Sequence, residues 1–269
     1  MQRRAIVIIV LIAAALTATG ALAWNMLFSV PEPSGEVTAI PVAAGNEVDP
    51  QPTATSEATS AADAEPSTEG DGAVEGQRTY TIVQEESEVR FIIGEILFGE
   101  PKTVIGTNQQ FAAQILLDFN APQNSQVGVV QINARSFVTD SGSRNGAINN
   151  RILQSTTYEF ITFTPTAYIG LPESGSIGQS FDFQVVGDLT IRDITQEVTF
   201  DVTLTLVAED RIEGSVRSEI AREAFDLVIP NVPQVAGVDE IVRLEMDLDR
   251  KSTRLNSSHS SVSRMPSSA

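Results

Sequence analysis

The sequence predicts an all-β domain, an antiparallel barrel or sandwich, between residues 79 and 248. Three observations predict it. Apolar and polar residues alternate with a period of two, the mark of strands with one dry face and one wet face. About eight such stretches occur, and strands of this kind need a partner sheet or must close on themselves. Only one segment between them has helical spacing.

Taken in order, alternation is visible at Val89, Phe91 and Ile93, then over 113–119, 128–134 and 158–164. The segment 143–154 carries Ile148, Ile152 and Leu153 at helical spacing and predicts a short helix. The clearest strands follow. Phe181, Phe183, Val185, Leu189 and Ile191 alternate with Asp182, Gln184, Asp188 and Thr190. After a tight turn, Val198, Phe200, Val202, Leu204 and Leu206 alternate with Thr199, Asp201, Thr203 and Thr205. A further strand is predicted over 212–220, and Val242, Leu244, Met246 and Leu248 close the series. A sandwich fills its interior with its own side chains, whereas a barrel of about eight strands can hold one small ligand. Periodicity does not separate the two, and by pattern alone the stripe Phe91, Phe160, Phe181, Phe183 and Phe200 reads as ordinary core before it reads as the lining of a tunnel.

The ends differ from this body. Arg3 and Arg4 precede an uncharged apolar run over 5–23, followed by Trp24, Met26, Leu27 and Phe28. Residues 1–28 therefore predict a membrane anchor, with the basic pair cytoplasmic, Trp24 at the far interface and the domain outside. Ala21, Leu22 and Ala23 also fit a signal-peptidase site, which would leave a secreted or periplasmic protein. Residues 29–78 hold six prolines and ten acidic residues against one basic residue, with no apolar period. That composition predicts a disordered linker. Residues 249–269 begin with a run that resembles translated sequencing-adapter sequence and are set aside as an artefact tail.

Composition removes most chemistry. The chain has 269 residues, no cysteine and one histidine, His259, in that tail. Disulfides, thiolate nucleophiles and histidine-based triads or zinc sites lose their usual groups. A formal net charge of -18 repels phosphate, so nucleic acid is not an expected partner. Candidates for acid–base work are Arg144, Arg151, Asp188, Arg222 and Glu223, but Asp188 has wet-face parity and no nucleophile stands beside a base. Asp188, Asp193 and Asp201 lack the spacing of a calcium loop. No metal site and no catalytic residue are expected.

The segment from Gly187 to Val198, with Gly187, Asp188, Leu189, Thr190 and Ile191 before the turn at Arg192 and Asp193, resembles the central signature of the YceI-like family. Val89, Arg90 and Phe91, then Val104 and Gly106, Arg144, Arg151 and Leu153, Ile161 and Phe163, Arg222 and Phe225, and Gly237 and Glu240 resemble further family pieces in the family's order. Asp193 and Asp226 stand where the family usually has glycine.

The resemblance implies an extended eight-stranded antiparallel lipocalin-like barrel with one short helix, exported, and a non-enzymatic carrier of polyisoprenoid or a similar long-chain amphiphile. It implies no cofactor, with a prenyl quinone among the candidate ligands, and leaves monomer and homodimer open. Residues of apolar parity are then expected to line the tunnel: Phe91, Ile115, Leu117, Ile132, Phe181, Phe183, Val185, Phe200, Val202, Leu204, Leu244 and Met246. The proline-broken apolar segment 227–235 is expected to form a lip. The alternatives are an acidic sandwich with a filled core that acts as an interaction module, and a hydrolase.

Overall fold

The computed structural model describes residues 37–42, 77–82, 84–208, 211–248 and 254–255. The predicted membrane segment and most of the linker and tail lie outside the described residues, among which no helix is long and apolar enough to cross a membrane.

Each of the eight alternating stretches forms a strand: β2 (Glu88–Leu97), β5 (Gln114–Asp118), β7 (Val130–Asn133), β8 (Phe160–Ile169), β9 (Ser180–Ile191), β10 (Ile194–Ala208), β11 (Arg211–Ala221) and β13 (Ile241–Leu248). Five more join them: β1 (Gln77–Thr81), β3 (Glu100–Asn108), β4 (Phe111–Ala112), β6 (Gln126–Val127) and β12 (Val235–Val238). The domain thus has thirteen strands between Gln77 and Leu248 rather than eight. A fourteenth, β14 (Arg254–Leu255), pairs with β1. Strands of two residues such as β4 and β6 carry too few alternations for periodicity to register, and β3 carries Pro101 and Lys102 on its exposed part.

The closed eight-stranded ladder is also corrected. One large antiparallel sheet runs β12-β2-β13-β11-β10-β9-β8-β7-β4, with β3 on β2, and a smaller one runs β14-β1-β5-β6. The large sheet curls into a half-barrel, and apolar residues from both sheets face the space between them. The predicted helix is α1 (Gly142–Ala147), which runs on into a π-helical turn at Ile148–Ile152. Ser141 caps α1 by accepting from the Arg144 N–H.

Below this helix lies a buried amide network. The Asn108 side chain donates to the Asn133 carbonyl at 2.7 Å, Asn133 accepts from the Arg135 N–H at 3.0 Å, and Ser155 donates to Asn149 at 3.0 Å. Buried amides left unpaired would each cost about 1–3 kcal/mol, so these bonds fix how the 134–155 excursion leaves and rejoins the sheet.

The β9–β10 hairpin turns at Arg192 and Asp193, since Ile191 pairs with Ile194. The positive φ of 58° falls on Arg192, not on Asp193. Arg192 is held there by its guanidinium, which donates to the carbonyls of Phe225 and Asp226 at 2.9 and 2.7 Å. Asp226 takes a φ of 49°, a left-handed conformation that favours glycine.

Six residues of the linker stretch, 37–42, lie on the domain. Val37 is buried and its carbonyl accepts from the Gln84 side chain at 2.6 Å. The Val42 N–H donates to Gln114 at 2.7 Å, and the bare Cα of Gly128 lets the segment approach.

At Gly187 the strands pack so closely that an added Cβ would meet the Thr164 carbonyl oxygen at 2.5 Å and the Phe163 ring at 2.6 Å. Backbone in a paired strand cannot retreat. Gly187→Ala is therefore expected to lower unfolding stability by about 1–3 kcal/mol, read by chemical denaturation of the full chain.

Candidate functional site

The interior between the two sheets is hollow. A cavity of about 220 Å³ lies there with an almost wholly apolar lining. All twelve residues chosen on strand parity line it: Phe91, Ile115, Leu117, Ile132, Phe181, Phe183, Val185, Phe200, Val202, Leu204, Leu244 and Met246. Their convergence has a simple cause. Alternate side chains of a strand share a face, and the curl of the large sheet turns its apolar faces toward one axis.

The rings keep their places through pairwise packing. Phe163 meets Phe200 edge-on with centroids 4.8 Å apart, and Phe91 tilts against Phe137 at 5.5 Å. Phe91 also lies across its cross-strand partner Gly106, where a Cβ would run into the ring. Phe160, part of the predicted phenylalanine stripe, is not in the lining.

Other lining residues escaped the sequence reading. Tyr168 turns inward because β8 slips register between Pro165 and Ala167, which moves the inward parity from Ile161 and Phe163 to Tyr168. The proline inside an otherwise regular strand is the signal that marks such a slip. Phe119, one residue past the end of β5, keeps the parity of Ile115 and Leu117, whereas Pro122, Leu171, Pro172 and Gly175 reach the cavity from turns and loops, where parity has no meaning. The segment 227–235, expected as a lip, contributes nothing to the lining. It instead leads into β12, which pairs with the end of β2, and the Phe98 N–H donates to Gln234 at 2.8 Å.

Polar groups are few and paired. The Tyr168 hydroxyl accepts from the Val127 N–H at 2.7 Å, and burial pushes its pKa up, so it stays neutral. Arg90 and Glu245 sit between inward-facing neighbours on β2 and β13 and pair with each other at 3.0 Å. Asp247 lies 2.7 Å and Glu88 3.2 Å from the same guanidinium. Burial opposes the charge of Arg90, but the hydrogen bonds to these three carboxylates outweigh it and raise its pKa.

Asp118 stands at the loop end of the cavity. Burial works against its charge, yet N–H groups of Ala121 and Asn120 donate to it at 2.8 and 3.0 Å, and the Gln77 side chain at 3.3 Å. These donors hold its carboxyl below the usual carboxylate range.

The predicted acid–base candidates do not meet in this space. Arg144 bonds Glu95 at 2.6 Å and also pairs with Asp140. Arg222 donates to the carbonyls of Asp239 and Leu227. Arg151, Asp188 and Glu223 are exposed, and none of the five lines the cavity. Among the described residues no cluster of acidic or histidine side chains is arranged to hold a metal.

The sequence profile of the YceI-like domain matches residues 80–249. The chain belongs to the YceI-like family. Solved structures are similar to this YceI-like domain. Burkholderia cenocepacia BcnA matches with a TM-score of 0.51 at 20% identity, over 62% of this chain and 98% of that one. A polyisoprenoid binding domain from Saccharophagus degradans, implicated in plant cell wall breakdown, matches at 0.49 and 12%, over 64% and 96%. A Campylobacter jejuni YCEI protein matches at 0.44 and 18%, over 54% and 82%. No curated protein matches.

Because the folded-state pKa of Asp118 is depressed, its charge supports the fold above the ordinary carboxylate pKa of about 3.9 and stops doing so as pH falls through the lower, folded value. Asp118→Ala is expected to cost about 1–3 kcal/mol at neutral pH by stranding its donors. Denaturation midpoints of the two proteins should converge on acidification below about pH 4.

Proposed function

We propose that the YceI-like domain binds one long-chain lipid, of the polyisoprenoid or prenyl quinone kind, inside the cavity and carries it without chemical change. The observation that supports this most is the hollow itself: apolar residues of both sheets surround a space instead of filling it. Its volume lies below the roughly 300–1,000 Å³ of sites for drug-sized ligands. Its lining nevertheless follows β9 from Phe181 to Ile191, about 33 Å of strand at about 3.3 Å per residue. A long, narrow hollow suits a single hydrocarbon chain better than a compact molecule.

Binding needs no catalytic group. Each methylene that leaves water contributes roughly 0.8 kcal/mol, so a chain of prenyl units gains affinity from length alone. The isoprenoid class comes from the family resemblance, and the apolar lining supports a hydrocarbon chain in general. Asp118, Ser125 and Gln126 at the loop end are the polar groups a head group would meet.

Residues 1–28 add the setting. Retained as an anchor, they would hold the domain on the outer side of the cytoplasmic membrane, close to its lipid. Signal cleavage would instead release the same carrier.

Solvent extraction of the purified full chain followed by mass spectrometry should recover a long-chain lipid. Met246→Trp, which adds bulk to the lining, should fold normally and bind a prenyl quinone about tenfold more weakly, a change of about 1.4 kcal/mol. An empty extract from the unaltered chain, together with no uptake of added prenyl quinone, would defeat the proposal.

A further inference from the structure

Two hydroxyls at the loop end of the cavity are held in the same way. The Tyr168 oxygen accepts from the Val127 N–H at 2.7 Å, and the Ser125 oxygen accepts from the Asp118 N–H at 3.0 Å. All four residues belong to the lining. Ser125 and Val127 stand on either side of Gln126 at β6, so both hydroxyls occupy one stretch of the wall. A hydroxyl has one proton to donate and lone pairs with which to accept. Here a main-chain donor fixes each oxygen, while among the described residues neither O–H has an acceptor. The pair is therefore arranged to donate to an acceptor brought in by a ligand.

Charge decides which acceptor. Besides Tyr168, the ionisable side chains of the described lining are Arg90, Asp118 and Glu245. Arg90 already has Glu245, Asp247 and Glu88 at 3.0, 2.7 and 3.2 Å, so its charge is taken up. Asp118 is the carboxylate beside Ser125, and donors from Ala121, Asn120 and Gln77 keep it ionised. Arg78, whose guanidinium stands 5.8 Å over the Phe119 ring, is not in the lining.

A phosphate or carboxylate head would enter beside the like charge of Asp118, and the apolar wall strengthens that repulsion. A carbonyl oxygen accepts the same two protons without bringing a charge. Such an oxygen would be costly to bury unpaired, and the two hydroxyls meet that need.

We propose that the cavity selects lipids with an uncharged carbonyl head, the quinone class, over prenyl phosphates. Tyr168 and Ser125 donate to the carbonyl oxygens, and Asp118 turns anions away. The inference rests on the lipid-binding reading above.

The test titrates the full chain, cleared of lipid, with a prenyl quinone, a prenyl monophosphate and a prenyl hydrocarbon of equal chain length. At neutral pH the quinone should bind on the order of tenfold more tightly than the monophosphate, because a like charge in the wall opposes the phosphate. Asp118→Asn, which keeps an acceptor oxygen and removes the charge, should close most of that gap. In the double variant Tyr168→Phe with Ser125→Ala, the ratio of quinone to hydrocarbon affinity should fall about tenfold, the effect of two lost hydrogen bonds. Taking the ratio cancels general damage to the cavity. The infrared carbonyl band of bound quinone should lie at lower frequency than in a hydrocarbon solvent, and the shift should vanish in the double variant.

Monophosphate that binds as tightly as quinone overturns the proposal. So does an unshifted carbonyl band, an unchanged ratio in the double variant, or a gap that Asp118→Asn leaves intact. Hydrocarbon that binds as well as the quinone would leave the carrier standing and remove the selection. Failure of all three ligands to bind would defeat the carrier and the selection together.

Discussion

One dry face per strand, wrapped around more space than its side chains can fill, is the constraint on which the molecule depends. Removing apolar surface from water drives the large sheet to curl and the small sheet to cover it. Close packing would normally consume the interior, because a void forfeits dispersion contacts along its walls. Here the backbone curvature, set by pairing along nine consecutive strands, holds the faces apart. The space left over is the property from which the proposed activity follows.

Its shape is kept by packing that leaves little room to collapse. Phe91 lies flat over Gly106, and Phe163 is wedged at Gly187 against Phe200. The rings thus press on backbone and on one another, and are not free to swing into the hollow. On the side of the helix, Asn108, Asn133, Asn149 and Ser155 are buried yet paired through amide and hydroxyl bonds. Their directional bonds position the 134–155 segment, which carries Phe137 to the cavity wall. Charge beside the cavity is neutralised in place: Arg90 gathers Glu88, Glu245 and Asp247 on the strands that also carry Val89, Phe91, Leu244 and Met246.

The surplus of acidic residues is distributed over the linker and the wet faces of the strands. It keeps the exterior solvated and repels phosphate, while the lining holds scarcely any polar group. The proposed binding and the solubility are therefore served by opposite parities of the same strands, as at Phe181 and Asp182 or Val202 and Thr203.

By itself the sequence determined the strands long enough to show alternation, the short helix, and which residues share a face. Parity is a local property of the backbone, so Phe183, Leu204 and Met246 could be placed on the dry side before any coordinates. Residues whose direction depends on distant partners were not legible: Tyr168 turns in at a register slip, Leu171 and Pro172 enter from a loop, and the positive φ of the hairpin went to Arg192 because Phe225 and Asp226 accept its side chain. Short strands such as β4 and β6 exist only through their partners. Whether the dry faces filled one another or enclosed a hollow was decided by the tertiary structure alone, because periodicity records which way side chains point and curvature records how far apart the facing backbones stand.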